Sequence, residues 1–547
     1  MSKIKIFAMG GLNESGKNTY VVEVDEKIFI FDCGLKYAND NMYGIDYIIP
    51  DYSYLVENKN KIEGVFITHA HLEQMGGVQD LINLIPDIKI YCTKYTKEYM
   101  ILEGVNKDNI VEIKAHKKIT FKDSKDLSVF PINVSHSVPD AVMYVLNTKD
   151  GAICYTGDFV IDPLMTGSYG MDLGKVAYIG KQGVLCLLSE STFSEKKGHT
   201  SPNHRLTSWF KDTINQAEGR IIVSILPVHL YAIQELFNAS INMHRKIVIM
   251  GNKLQKIVSL ARENGYLNVS DDLIGNMSDI DRKDSILLVC DDRKNPTGAL
   301  AKIVSENDKY IHLTDTDTVI FAEPTYDSSE KVIVKMQDEI AQKNVNSITI
   351  PKDKTILHHA SSEDLMIMLN LINPKYYMPV KGEYRLMVNN ANIADALHMP
   401  KDNIILKQNG DVVEFVDGKL VESTETIKIN DFLIDGKTSE DIGELVIKDR
   451  EMLGENGILL ISATIDKKTK EILVGPEVTT RGFIYVRDSY KLIEEIKRIS
   501  KEIIEKNVST RYVDFNAIKN EIREELSKYF YDETGTKPMI IDVIQEV

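Results

Sequence analysis

The chain has 547 residues, of which 43% are apolar and 27% charged, and a formal net charge of −16. That length exceeds one ordinary core and points to two to four globular domains. The negative balance argues against nucleic-acid binding over the whole surface and leaves room only for a local basic channel.

No apolar run reaches the roughly 20 residues that a membrane helix needs, so no membrane association is expected. Residues 1–6 enter a strand-like pattern at once, which argues against a signal peptide. The five cysteines, Cys33, Cys92, Cys154, Cys186 and Cys290, are scattered without a C-x-x-C pair. They read as reduced, buried thiols of a cytoplasmic protein.

Residues 3–35 alternate strand-like runs with glycine-rich turns. Gly10-Gly11-Leu12-Asn13-Glu14-Ser15-Gly16-Lys17-Asn18 lies between two such runs. It lacks the G-x-x-x-x-G-K-[ST] pattern, and a strand rather than a helix follows, so it reads as a glycine hairpin and not a phosphate loop. Ile28-Phe29-Ile30-Phe31-Asp32-Cys33-Gly34 is a buried strand running into a turn. Gly64-Val65-Phe66-Ile67 is another, and just past it come His69 and His71. Residues i and i+2 of an extended chain point to one side, so both imidazoles can face one metal.

Val129 to Ile132 leads to His136, and Pro131 makes this an edge or irregular strand. Ala152 to Tyr155 leads to Asp158, and residues 183–191 form a buried strand that carries Glu190. A lone His or Asp at a strand end is usually a cap or turn residue. His69, His71, His136 and Asp158 at successive strand ends form a plausible three-histidine, one-carboxylate metal site.

The texture changes over 201–352. Helical patterns at 205–218, 230–240 and 254–264 alternate with strands at 220–226 and 246–250, implying a second, parallel α/β domain inserted in the first. Residues 353–426 return to the style of 1–200. Residues 427–456 read as a linker. Residues 457–547 form a small α/β domain with strands near 458–465, 471–475 and 538–543, and helices near 488–507 and 514–530. The interleaved Lys and Glu of the 488–507 helix suit a solvated face.

The stretch Thr68-His69-Ala70-His71-Leu72-Glu73-Gln74 resembles the H-x-H-x-D-H signature of the metallo-β-lactamase fold. Further motifs extend the likeness: His136-Ser137-Val138-Pro139-Asp140, Thr156-Gly157-Asp158-Phe159, Leu188-Ser189-Glu190-Ser191, His359-Ala360-Ser361, Tyr377-Met378-Pro379-Val380-Lys381-Gly382-Glu383 and Gly475-Pro476-Glu477-Val478-Thr479-Thr480-Arg481-Gly482-Phe483. Over essentially its whole length the chain resembles the ribonuclease J family of metallo-β-lactamase/β-CASP nucleases.

The resemblance implies an αββα sandwich (1–200 and 353–426) interrupted by a β-CASP domain (201–352), followed by the C-terminal domain. It also implies RNA as substrate, in rRNA processing and mRNA decay. Two zinc or manganese ions about 3.5–4 Å apart would activate a water. Carried over by position, His69, His71 and His136 bind the first ion. Asp158 bridges, Glu190 stands at the position of an essential acid, and His359 joins the catalytic set.

The second-ion positions depart from the family. They hold Glu73, Gln74 and Lys381: a longer carboxylate, a neutral amide and a cation. At most one ion per chain, or none, is therefore expected. The family's Ser-Asn phosphate pocket reads Val228-His229, its G-T-Q-G-E-P loop reads Asp291–Pro296, and its S-G-H reads Leu357-His358-His359. Substrate contacts are thus expected from His229, His358 and His359. Three functions compete. The first is a weakly active or inactive subunit, either beside an active paralogue in a hetero-oligomer or as a homo-dimer or tetramer. The second is an active metal-dependent 5′-exoribonuclease or endoribonuclease. The third is an unrelated metallohydrolase, for which the inserted and C-terminal domains would be superfluous.

Overall fold

The structure is a computed structural model. It describes residues 2–547 except 39–41, 43, 123, 242, 291–296, 323–326, 437–442, 484–489 and 509–512. The loop expected at Asp291–Pro296 lies outside the described residues.

Two sheets form the heart of the first unit. The eight-stranded sheet runs Lys419–Val421, Val413–Val416, Lys3–Gly10, Thr19–Val24, Lys27–Phe31, Ile62–Phe66, Ile90–Cys92, Ile110–Glu112. The six-stranded sheet runs Tyr376–Val380, Val184–Glu190, Gly151–Tyr155, Val142–Thr148, Ser124–Asn133, Ile119–Phe121. Their inner faces meet in one aromatic-rich core, including Phe29, Phe31, Phe66, Tyr144, Tyr155 and Met378. The outer face of the six-stranded sheet packs on helices Leu173–Gln182 and Ser362–Ile372 through Val176, Ile179, Leu365 and Met368. All seven residues of Val184–Glu190 are buried. That suits a strand with parallel neighbours and both faces covered.

Pro131 sits inside Ser124–Asn133, which pairs on both sides. The outer neighbour reaches only as far as Val129, and beyond it the Pro131 carbonyl accepts from His116 N at 2.8 Å. The missing N–H therefore disturbs no ladder.

The chain leaves the sandwich after Glu190 and returns with helix Ser362–Ile372 and then strand Tyr376–Val380, which pairs in parallel with Val184–Glu190. The insert between them is a five-stranded, wholly parallel sheet: Lys246–Met250, Ser285–Val289, Ile221–Ser224, Thr318–Phe321, Asn346–Thr349. Helices Thr207–Gln216, Leu230–Ser240 and Asn252–Glu263 stand within two residues of the sequence expectation at each end.

The second unit, Ala38–Asp46 with Leu433–Val547, is a compact body of its own. Ile458–Ile465 is its central strand, antiparallel to Ile472–Arg481 and parallel to Met539–Glu546. Leu459, Ile461, Ala463 and Ile465 alternate inward against Ile496, Ile504, Ile522 and Phe530 of helices Tyr490–Val508 and Phe515–Thr534. Within the stretch read as a linker, Gly443–Asn456 is a helix. Its sequence hid it because, among residues 445–456, only Ile447 is buried, so no apolar stripe forms.

Phe66 ends the strand that delivers the paired histidines. It is fully buried and stacks on Tyr91 with ring centroids 4.9 Å apart. Phe66→Ala should cost about 3–5 kcal/mol by emptying that volume. Urea denaturation followed by a probe in the sandwich checks this; an unchanged midpoint would contradict it.

Candidate metal centre

Each sequence-expected ligand stands just past the end of a core strand, where the ladder stops. His69 and His71 follow Ile62–Phe66, His136 follows Ser124–Asn133, and Asp158 follows Gly151–Tyr155. The structure brings the four together, all buried, with one candidate ligand atom from each within 4.8 Å of every other. His71 Nδ1 lies 3.1 Å from His69 Nε2 and 3.2 Å from His136 Nε2. Asp158 Oδ2 lies 3.4 Å from His69 Nε2 and 3.8 Å from His136 Nε2. Bonds of about 2.0–2.1 Å to one tetrahedral ion space their donors about 3.3–3.4 Å apart, so this set fits one ion.

The outer nitrogens settle the tautomers. His69 Nδ1–H donates to Thr68 Oγ1 at 2.9 Å, and that hydroxyl in turn donates to Asp32 at 3.0 Å. His71 Nε2–H donates to the Val228 carbonyl of the inserted domain at 3.2 Å. His136 Nδ1–H donates to the His358 carbonyl at 2.8 Å. All three lone pairs then face inward, the arrangement of metal-bound imidazoles. Burial pulls the His69 and His136 imidazoles below their usual range, which favours the neutral, ligating form. Asp158 Oδ1 is buried without a hydrogen-bond partner, as an atom reserved for a ligand would be.

The other half of the site is different. Lys381 Nζ pairs directly with Asp158 Oδ2. Buried Gln74 also turns its amide N–H toward that oxygen, at 3.3 Å. Glu73, half-buried, takes part through its carbonyl, which accepts from Asn18 N at 3.1 Å and Asn18 Nδ2 at 3.0 Å. Burial alone would raise the Asp158 carboxyl, but the Lys381 ammonium, then His359 and His69, hold it well below the usual range. A hydrogen-bond donor and an ammonium now face the carboxylate where a two-ion site needs lone pairs.

His359 Nδ1–H donates to Glu190 Oε2 at 2.7 Å. Glu190 Oε1 accepts from Phe159 N at 2.8 Å and Ala360 N at 3.4 Å. The structure thus sets Glu190 as a fully engaged carboxylate orienting His359, whose Nδ1 is 3.9 Å from Asp158. Of the three expected substrate residues, His359 reaches solvent, its side chain 12% exposed. His229 and His358 are buried. His358 packs against His204 and Tyr231, and burial, with His204 and His229 nearby, keeps its ring well below the usual range.

Sequence reading missed the partners that orient the ligands. Asp32 is wholly buried and accepts from Thr68 N at 2.8 Å and Tyr155 OH at 2.8 Å. A carboxylate closing the apolar run Ile28–Phe31 was the available signal. Burial pushes Asp32 up to about 7, against the hydrogen bonds from Thr68 and Tyr155.

Family models match three segments. They are the metallo-beta-lactamase superfamily over residues 12–166, the beta-CASP domain of ribonuclease J over 218–357, and the ribonuclease J C-terminal domain over 445–547. Ribonuclease J2 of Bacillus subtilis (strain 168) is 35% identical over 552 residues, covering 100% of this chain and 99% of that one. Ribonuclease J 2 of Staphylococcus saprophyticus is 32% identical over 551 residues, covering 100% and 98%. A crystal structure of an Enterococcus faecalis V583 protein of unknown function shares the fold, with a TM-score of 0.51 at 16% identity, covering 76% of this chain and 100% of that one.

Thr68→Val removes the acceptor of His69 Nδ1 and should weaken zinc binding by about 10–100-fold, with Thr68→Ser restoring it. Equal affinities in a competitive chelator titration would contradict this. Asp32 gives a pH test. Its proton is held more tightly in the folded state, so its stabilising contribution is present at low pH and lost as pH rises from 3.8 toward 7. Asp32→Asn should remove that part of the slope in denaturation series across this window.

Proposed function

From the premise that the chain belongs to the ribonuclease J family, we propose that it is an RNA-processing subunit with little nuclease activity of its own, working beside an active paralogue in the cytoplasm. The observation that carries this reading is the Lys381 ammonium seated on Asp158 Oδ2. His69, His71, His136 and Asp158 would hold at most one zinc or manganese ion. Such an ion, when bound, supplies Lewis acidity and a lower pKa for a coordinated water. The chain's own residues supply orientation: Glu190 fixes His359, and His71 is tied to the inserted domain through Val228. With Lys381 filling the second cation position, a single ammonium charge already paired with Asp158 replaces a divalent ion that could coordinate and polarise the phosphodiester.

RNA is the proposed ligand, entering where His359 reaches solvent. The C-terminal domain, which contains no cluster of candidate ligands among its described residues, is proposed to mediate association with the paralogue or with a second copy. The active-nuclease reading keeps one supporting observation, the intact Glu190–His359 pair beside three inward-facing histidines.

Degradation of a 5′-monophosphorylated RNA, alone and mixed with an active family member, distinguishes the two. The chain alone should be at least about 100-fold slower than the active member, the scale of a lost charge-stabilising group. Glu73→Asp, Gln74→His and Lys381→His together should restore binding of a second ion by elemental analysis, with only a weak gain in cleavage. Wild-type cleavage as fast as the active member, unchanged by the triple substitution, would overturn the proposal.

A further inference from the structure

The loop between strands Lys3–Gly10 and Thr19–Val24 does more than reverse the chain. It grips both places where the donor set departs from a two-ion site. Asn18 holds the carbonyl of Glu73 through two donors. Leu12 and Glu14 each form a β-bridge to Gly382. The Tyr20 hydroxyl lies 3.4 Å from the Gly11 carbonyl and 3.2 Å from Asn18 Oδ1, so it ties the arm that bridges to Gly382 to the arm that holds Glu73. The Lys381 carbonyl accepts from Ser191 N at 3.1 Å.

Between these anchors Lys381 has a φ of 54°, a left-handed conformation that a long side chain rarely adopts. Glu14 is the hub of the loop. Its Oε1 accepts from Gly11 N at 3.3 Å, Asn409 Nδ2 at 2.8 Å and Lys17 Nζ at 3.2 Å, and its Oε2 pairs with Lys36 Nζ at 3.0 Å. Lys17 is itself buried and also pairs with Asp431. The glycines are needed for closeness: a Cβ on Gly10 would fall 2.2 Å from the Lys17 carbonyl, and one on Gly11 2.5 Å from Tyr20 OH.

We propose that Glu14 and Tyr20 are positioning residues that, through this loop, lock the Lys381–Gly382 turn in the left-handed form that sets the Lys381 ammonium on Asp158. The proposal rests on the reading that this ammonium stands in for a second cation. The physical reason is entropic. A lysine side chain has many rotamers, and a backbone released to right-handed or extended geometry swings Cα–Cβ away from the carboxylate. A fixed turn removes that freedom before the pair forms.

A loop that served stability alone would lower the melting temperature without changing the chemistry of one distant lysine. Acylation of the full-length protein by acetic anhydride, read residue by residue by mass spectrometry, separates these roles, because a paired ammonium is slow to react. In the wild type, Lys381 should react far more slowly than Lys401, whose side chain is 82% exposed. In Tyr20→Phe and Glu14→Ala, Lys381 should react about ten-fold faster, the factor carried by one charge-assisted hydrogen bond, while Lys401 is unchanged. Tyr20→Phe keeps the ring packed on Tyr155, 5.0 Å away, and so serves where Glu14→Ala fails to fold. A slow wild-type Lys381 that stays equally slow in the folded variants would overturn the positioning role and leave the ammonium–carboxylate pair standing. A wild-type Lys381 as reactive as Lys401 would remove the pair itself, and the proposal with it.

Discussion

The structure turns on one buried carboxylate. Asp158 lies at the end of a core strand, nearly without solvent, within reach of four imidazoles and one ammonium. A buried charge of this kind must be paired, and breaking such a pair by removing one partner costs about 3–5 kcal/mol. A two-ion enzyme would meet that need with metal. Here Lys381 meets it with the side chain of a residue 223 positions away in sequence. The ammonium carries one charge where a divalent ion carries two, and it needs no free ligand from solution. The site is thus held together whether or not an ion binds among the histidines.

The outer contacts of the histidines give the site its reach. His69 is set by Thr68 and Asp32 of the sandwich, His136 by the carbonyl of His358, and His71 by the carbonyl of Val228 in the inserted domain. The outer contact of His71 is therefore made only when the insert is seated on the sandwich. Val228 also immediately precedes His229, which occupies the N-cap position of the helix Leu230–Ser240.

Much of this was legible in the sequence, for reasons that are local. The His69–His71 spacing after an apolar run, and the strand-end positions of His136, Asp158 and Glu190, follow from strand periodicity. The parallel insert was legible because its strands are continuous apolar runs alternating with helical patterns. The helix Gly443–Asn456 was not, because it buries almost no stripe. The partners of the ligands were not legible either. Asp32 lies 36 residues from Thr68, Val228 lies 157 from His71, and His358 lies 222 from His136, and two of the three contacts are made by backbone carbonyls that no residue type announces. The Lys381–Asp158 pair could be inferred from the departure of Lys381 from a ligand type, while its left-handed backbone and the loop that grips it could not.

The most direct test of this view is anomalous diffraction from crystals of the full chain grown with manganese. The expected result is at most one anomalous peak, bounded by His69, His71, His136 and Asp158, with Lys381 Nζ still against Asp158 Oδ2. Two peaks about 3.5–4 Å apart, with Lys381 turned away from the carboxylate, would contradict it.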